Sequence, residues 1–268
     1  EAELARRMPG AVTPLGTLAR KLGAEPERLR DRLTDMARRG LVLDFEFGGE
    51  HYYSLAPVVI GFFEFTFMRT RDRVPMAELA RLFDEYFTGN DRAYRSIFGG
   101  ETQLGRALAH EETLPDHTEV LDWERVSQAV AESEHFAVGI CFCRHKAEHL
   151  GRRCDAPMEI CLSLNAGARF IADRGFGRAI ERGEALDLLT QARENGLVHI
   201  SDNVRSQPSW ICNCCACCCE QIQGINEYHL PAVSPSGFEA RPEMGTCTGC
   251  SRCARACPVG AITMHPRR

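Results

Sequence analysis

Fourteen cysteines carry the chemistry of this 268-residue chain, and all of them fall after residue 140. They come in three bursts. The first is Cys141-x-Cys143 with Cys154 and Cys161. The second is Cys212-x-Cys214-Cys215-x-Cys217-Cys218-Cys219. The third is Cys247-x2-Cys250-x2-Cys253-x3-Cys257-Pro258. Soft thiolates gathered at this density select zinc, iron–sulfur clusters and similar metals. Disulfides would instead predict a small secreted scaffold with cysteines spread along its length. Here one half of the chain has none, and neighbours such as Cys214-Cys215 and Cys217-Cys218-Cys219 pair poorly into a framework. A reducing cytoplasm, such as that of an anaerobe, is the expected setting.

The third burst has the spacing of bacterial ferredoxins, in which three cysteines of a tight loop wrap one cubane and the fourth ligates the other cluster of a two-cluster protein. Cys247, Cys250 and Cys253 take the first role and Cys257 the second. Cys212 and Cys215 stand seven and four residues before Cys219, just as Cys250 and Cys253 stand before Cys257; Ser209 occupies the place of the remaining ligand. The pseudo-symmetric expectation is that Cys219 completes the cluster of Cys247, Cys250 and Cys253. Cys257 would then join Cys212, Cys215 and one further thiolate, with Cys214, Cys217 and Cys218 as additions. The first burst supplies four thiolates of its own. These suit a third [4Fe-4S] cluster, with tetrahedral zinc as the redox-inert alternative. The first and second bursts together would also leave six thiolates for a larger or non-cubane iron–sulfur cluster.

Arg144, His145, Lys146, His149, Arg152 and Arg153 follow Cys143. They read as a solvated basic face or a docking patch for an acidic partner, and cations beside a cluster raise its potential.

Positioning these thiolates requires a scaffold, expected to be α+β in class. Residues 1–57 read as a winged-helix-like domain. Leu15–Leu22 is an amphipathic helix ended by Gly23, and a second helix starting at Pro26 carries Leu29, Leu33, Met36 and Ala37 on one face. Residues 41–47 and 51–55 alternate as strands around Gly48-Gly49. Residues 58–135 read as a helical region, with an apolar stripe of Leu79, Leu82, Phe83, Tyr86 and Phe87 and a helix over 121–133. Residues 136–206 hold the first cysteine site and a helical scaffold, including a helix over 183–195 and a short strand over 197–200. Residues 207–268 are expected to form a two-cluster ferredoxin-like domain.

Hydrophobic residues make up 44% of the chain and charged residues 26%, ordinary for a globular protein. The net charge of −5 argues against wholesale binding of nucleic acid or anionic membranes. The longest apolar run, residues 58–68, is broken by Glu64 and is too short to span a bilayer. No signal peptide is visible at the charged start.

With these motifs in hand, the chain resembles a bacterial and archaeal group of dicluster-type 4Fe-4S ferredoxin proteins with an N-terminal winged-helix-like region. The resembling stretches are residues 55–65, 143–151, 154–161 and 211–215, and the ferredoxin loop. The resemblance implies cluster binding and electron transfer, and names no substrate. The expected function is a multi-cluster iron–sulfur electron carrier or oxidoreductase subunit rather than a stand-alone enzyme, with redox proteins as partners and a homo-oligomer or larger complex as its setting. Two alternatives stand beside it. One is a reductase with an unusual catalytic cluster. The other is a redox-responsive DNA-binding regulator, whose phosphate contacts would be Arg28, Arg30, Arg32, Arg38 and Arg39. Because Asp31 and Asp35 interleave with these arginines, protein docking is favoured over DNA for the N-terminal domain.

Overall fold

The computed structural model describes residues 1–69, 74–111, 114 and 125–265. The chain begins with α1 (Ala2–Arg7), β1 (Thr13–Pro14), α2 (Leu15–Leu22), α3 (Pro26–Arg38), β2 (Val42–Phe47) and β3 (Glu50–Leu55). Helix α3 starts where expected because Pro26 needs no N–H partner there. The Glu25 side chain also accepts hydrogen bonds from the backbone N–H groups of Glu27 and Arg28, at 3.0 and 2.8 Å. Leu29, Leu33, Met36 and Ala37 are buried against Leu18 and Leu22 of α2. The three strands form an antiparallel sheet in the order β1-β3-β2, and Gly48 and Gly49 turn the hairpin with φ of 60° and 77°.

Gly40 joins this module to the rest. Its φ is 75°, and a Cβ there would lie 2.6 Å from the Cβ of Phe65, so both conformation and space demand glycine. Arg174, just after α9 (Asn165–Asp173), grips the buried Asp44 of β2 with both ends of its guanidinium; the Nε–Oδ1 hydrogen bond is 2.9 Å. We expect Asp44→Ala to cost about 2–3 kcal/mol, toward the low end for a buried pair because Arg174 keeps some solvent contact. Urea-denaturation midpoints check this, and a change below about 0.5 kcal/mol would show the clamp to be idle.

An irregular bend over Val58–Phe62 leads into α4 (Phe63–Phe67), followed by α5 (Met76–Thr88) and α6 (Arg92–Phe98). Phe63, Phe67, Phe83, Phe87, Tyr94 and Phe98 form an aromatic core that also takes in Cys143 and Cys218. The expected α5 stripe is rotated. Ala80, Phe83 and Phe87 point inward, whereas Leu82 and Tyr86 are 45% and 47% exposed. Of the helix expected over 121–133, α7 (Val126–Ala131) is present; residues 121–124 lie outside the described residues.

The larger sheet has seven strands. They are β4 (Gly105–Ala107), β5 (Phe136–Ile140), β6 (Glu159–Leu164), β7 (Arg178–Ile180), β8 (Val198–Asp202), β9 (Trp210–Cys214) and β10 (Val233–Ser234), in the order β10-β4-β8-β9-β6-β5-β7. All pairings are antiparallel except β10 with β4. Helices α8 (Phe142–His149), α10 (Arg182–Glu194), α11 (Glu220–Asn226) and α12 (Arg252–Ala256) complete the chain. This sheet crosses two expected boundaries. β4 lies within 58–135, and β9 and β10 within 207–268, yet all three pair into the sheet of 136–206. Backbone groups in a sheet interior need partners on both sides, so strands remote in sequence are drawn together.

Candidate metal centres

Two adjacent strands and the start of one helix deliver most of the buried cysteines. β5 runs into Cys141, which caps α8 and places Cys143 in its first turn. The Cys141 N–H donates to the Met158 carbonyl at 2.7 Å, and the His145 N–H to the Cys141 carbonyl at 2.9 Å. Along β9, side chains alternate between faces, so Cys212 and Cys214 share one face and Ile211 and Asn213 the other. The register Leu162↔Ile211 brings Cys161 of β6 alongside Cys212. A turn then carries Cys215, Cys217 and Cys218, and Cys219 caps α11.

The ten cysteines of the first two bursts divide into two sets that cut across the bursts. In one, the sulfurs of Cys154, Cys215, Cys217 and Cys218 all lie within 4.8 Å of one another. Cys154 is 3.7 Å from Cys215 and 4.0 Å from Cys218, and Cys217 is 3.7 Å from Cys218. Four thiolates about 2.3 Å from a tetrahedral ion stand about 3.8 Å apart. A cubane sets each thiolate outward of a different iron and so holds them wider. This set therefore fits a single tetrahedral ion, zinc or iron.

The second set is Cys141, Cys143, Cys161, Cys212, Cys214 and Cys219. All six, together with Cys215 of the first set, line one cavity of about 310 Å³. Cys219 and Cys214 are 3.2 Å apart. The thiol of Cys143 and then that of Cys214 hold Cys219 well below the usual cysteine range. Cys212 is likewise lowered, by the thiols of Cys161 and then Cys214. Cys215, in the first set, is lowered chiefly by the thiol of Cys218. Burial pushes Cys141 up to about 12. Hydrogen bonds from neighbouring thiols thus prepare thiolates, the ligating form, in both sets.

This arrangement replaces the expected pseudo-symmetry. Cys219 keeps company with Cys143 and Cys214, and Cys215, although it borders the same cavity as Cys212, makes its sulfur contacts with Cys154 and Cys218. The first burst is not a closed site either, because Cys154 leaves it for the turn after β9. The physical reason is strand geometry: a Cys-x-Cys pair on a strand presents two sulfurs on one face, which a ferredoxin loop does not.

The basic stretch is largely internal. Arg144, His145 and Lys146 are buried. Arg144 donates to the carbonyls of Pro157 at 2.9 Å and Asn213 at 2.7 Å. Its Nε has no hydrogen-bond partner among the described residues. Lys146 pairs with Asp84 at 3.1 Å and Glu220 at 2.5 Å, and Tyr94 donates to Glu220 at 2.5 Å. His145 Nδ1 lies 2.6 Å from the Phe67 carbonyl oxygen, and its Nε2 lies 3.1 Å from Nε2 of His149. Arg152 pairs with Asp84, and Arg153 with Glu148 at 2.9 Å.

Several supporting residues escape a reading of the sequence. Asn213 donates to the Ile160 carbonyl at 2.7 Å, and its own Oδ1 is 2.6 Å from His199 Nδ1. Those contacts hold β9 in place beside β6 and β8. Glu64 lines the cavity, accepts from the Gly61 N–H at 2.6 Å and is pushed up to about 8 by burial. The signal for Glu64 was a lone carboxylate inside an apolar run; nothing marked Asn213 or His199.

Burial and then the neighbouring His110 lower His199 to about 4. The unfolded chain therefore takes up this proton first as pH falls. The associated stability, about 3 kcal/mol at full extent, is present above about pH 6.5 and lost as pH falls toward 4. We expect His199→Gln to flatten this part of the acid slope, measured as urea midpoints at about pH 7 and pH 5. An unchanged slope would show that His199 does not titrate there.

In the third burst Cys247, Cys250 and Cys253 are exposed and Cys257 is half-buried. Gly249 and Ser251 adopt left-handed φ of 69° and 62°, which turns the chain tightly between cysteines. Cys250 is lowered by the backbone N–H of Arg252 and then by the Thr248 hydroxyl. The Ala261 N–H donates to Cys257 Sγ at 3.3 Å. Asn226 of α11 ties the segment to the body through the Pro258 carbonyl at 3.0 Å.

Residues 242–263 match the family model of the 4Fe-4S binding domain. This segment is an iron–sulfur, ferredoxin-like module, and a 4Fe-4S cluster is its cofactor. The match covers Cys247, Cys250, Cys253 and Cys257. No curated protein and no solved structure matches the chain. Among the described residues no helix is long and apolar enough to cross a membrane.

Proposed function

We propose that this chain is a multi-cluster iron–sulfur protein that transfers electrons, as a carrier or as a subunit of an oxidoreductase complex. One observation carries the reading: an exposed 4Fe-4S segment shares the chain with ten further cysteines gathered into two compact sets. Cys247, Cys250, Cys253 and Cys257 would hold the 4Fe-4S cluster, which supplies one-electron redox chemistry when bound. Their exposure leaves that end of the molecule open to a redox partner. The chain's own residues then do the remaining work. The aromatic core shields Cys143 and Cys218 from water. Arg144 sets a fixed positive charge beside Cys141 and Cys215, which favours their ionised, ligating forms.

The N-terminal module, residues 1–57, supports a winged-helix-like reading through its element order and its β1-β3-β2 sheet. Within it Arg39 is already paired with Glu1 and, at 3.1 Å, with Asp35. The hairpin carries an exposed Phe47 and a stacked Phe45–Tyr52 pair. An apolar tip and an Arg39 already neutralised within the module favour docking of protein over DNA. A reducing, cytoplasmic setting fits fourteen free cysteines.

The test is anaerobic purification with quantification of iron and acid-labile sulfide, followed by reductive titration. Bound iron with matching sulfide that accepts electrons reversibly is the expected result. A colourless, metal-free protein would end the proposal. Turnover of a substrate with only an artificial reductant would move the assignment to a reductase, a reading that the cysteine-lined cavity favours. Salt-dependent binding to duplex DNA, lost on neutralising Arg28, Arg32 and Arg38, would move it to a regulator.

A further inference from the structure

The six-cysteine cavity has more donors than a cubane can use. A cubane offers four irons and takes one terminal thiolate at each, as in the four-cysteine ligation of 4Fe-4S centres. Cys141, Cys143, Cys161, Cys212, Cys214 and Cys219 all face one space, which Cys215 of the compact set around Cys154 also borders. The sulfurs of five of the six run in a series. Cys143 meets Cys219, Cys219 meets Cys214, Cys214 meets Cys212 and Cys212 meets Cys161. Cys143, Cys161, Cys214 and Cys219 are buried.

The space is a cleft whose lining reaches the exposed Phe45 and Leu104, and its volume of about 310 Å³ lies within the range of ligand-binding sites. A second observation points the same way. Arg144 is fully buried, lines the cavity and leaves its Nε unpartnered among the described residues. A buried donor left unmet is costly unless something accepts from it. An anionic sulfur-rich occupant would do so.

We propose that this cavity binds one polynuclear iron–sulfur cluster with more irons than a cubane, ligated by the six thiolates and accepting a hydrogen bond from Arg144. This rests on the reading of the chain as an iron–sulfur protein and deepens it. Ligands for such a centre come from four elements: the start of α8, β6, β9 and the start of α11. Neighbouring sulfurs touch, as Cys219 and Cys214 do at 3.2 Å, so the side chains must turn apart to seat such a centre.

The experiment isolates this centre within the full-length chain. Serine replaces Cys247, Cys250, Cys253 and Cys257 to remove the exposed cluster, and Cys217 and Cys218 to remove the four-sulfur site. After anaerobic reconstitution with ferrous iron and sulfide, the expected iron content is more than about four per chain, with acid-labile sulfide to match. About four irons or fewer, or zinc in their place, overturns the proposal. So that folding of this variant is not decisive, the otherwise unaltered protein is also studied by Mössbauer spectroscopy with single serine substitutions at each of the six positions. Perturbation of one and the same spectral component by all six supports a shared cluster. Perturbation by only four of them overturns it. A wild-type protein that holds its 4Fe-4S cluster but shows no further iron would refute this inference while leaving the electron-transfer reading intact.

Discussion

Protein stripped of metal under strict reduction is expected to lose its cooperative thermal transition or to melt at least about 10 °C lower. Nine of the ten thiols of the first two bursts are part of the packing, Cys217 being exposed. Cys143 and Cys218 sit in the aromatic core, Cys161 beside Phe65 and Met68, and Cys214 and Cys219 between β8 and α11. Without metal, the thiolates at Cys212, Cys215 and Cys219 have thiol and backbone hydrogen bonds and the Arg144 charge, but no ligated cation, to offset their burial. A structural four-thiolate metal site supplies roughly 10–16 kcal/mol of apparent binding energy. The whole stability of a domain is about 5–15 kcal/mol. For a chain of this size each kcal/mol moves the midpoint by about 2–4 °C. The exposed segment makes the internal control. Serine at Cys247, Cys250, Cys253 and Cys257 should remove its cluster and shift the midpoint by less than about 4 °C. Anaerobic calorimetry with and without a chelator decides the matter, and equal midpoints for metal-free and metal-loaded protein would refute it.

Replacing Arg144 by methionine is expected to produce the largest effect of any single substitution outside the cysteines. Its guanidinium is fully buried, spans the carbonyls of Pro157 and Asn213, and acts on the charges of Cys141, Cys215 and Cys154. It is the fixed cation between the two sulfur sets. Removing one member of a buried charge arrangement costs about 3–5 kcal/mol, because the remaining charges lose their compensation. Two acceptor carbonyls are also left without donors. The redox consequence has a definite sign. With a positive charge gone, adding an electron becomes harder, so the midpoint potential of the inner centre falls. Each tenfold loss in the reduced-to-oxidised ratio corresponds to about 59 mV for a one-electron couple. Arg144→Lys keeps the charge but not the two-pronged geometry, so it should retain most of the potential while still losing stability. Potentiometry and denaturation of both variants separate the two roles, and a methionine variant with unchanged potential would show that Arg144 only braces the backbone.

Local chemistry made much of this legible in the chain. Pro26 and Glu25 start α3, Gly23 ends α2, Gly40 follows the end of α3, and the Gly48-Gly49 pair turns the hairpin. Each depends on a residue's own conformational limits or on partners a few positions away. The C-terminal cysteines were equally plain, because a ferredoxin-like loop draws its ligands from one short run. Glu64 stood out as a carboxylate in an apolar stretch, although its burial against the cysteine cavity did not.

The grouping of the inner thiols was another matter. Counting residues paired Cys212 with Cys215 and sent Cys219 toward the loop, but β9 is a strand, and a strand sorts its side chains by parity. Parity kept Cys212 and Cys214 together, the turn after β9 released Cys215 toward Cys154, and pairing with β6 supplied Cys161. The basic stretch after Cys143 shows the same limit: its charges look solvated when read in line, yet three of its members are buried.

Sequence alone determined that this protein holds metal through sulfur, that its last burst is a 4Fe-4S segment, and where its helices and hairpin begin and end. Tertiary structure decided which sulfurs meet, which cations lie beside them and how large a space they enclose. The division has a physical cause. Caps, turns and ligand loops are short-range, written within a few residues, whereas a site assembled from separate strands depends on sheet register, which is fixed only when hydrogen bonds between distant segments form.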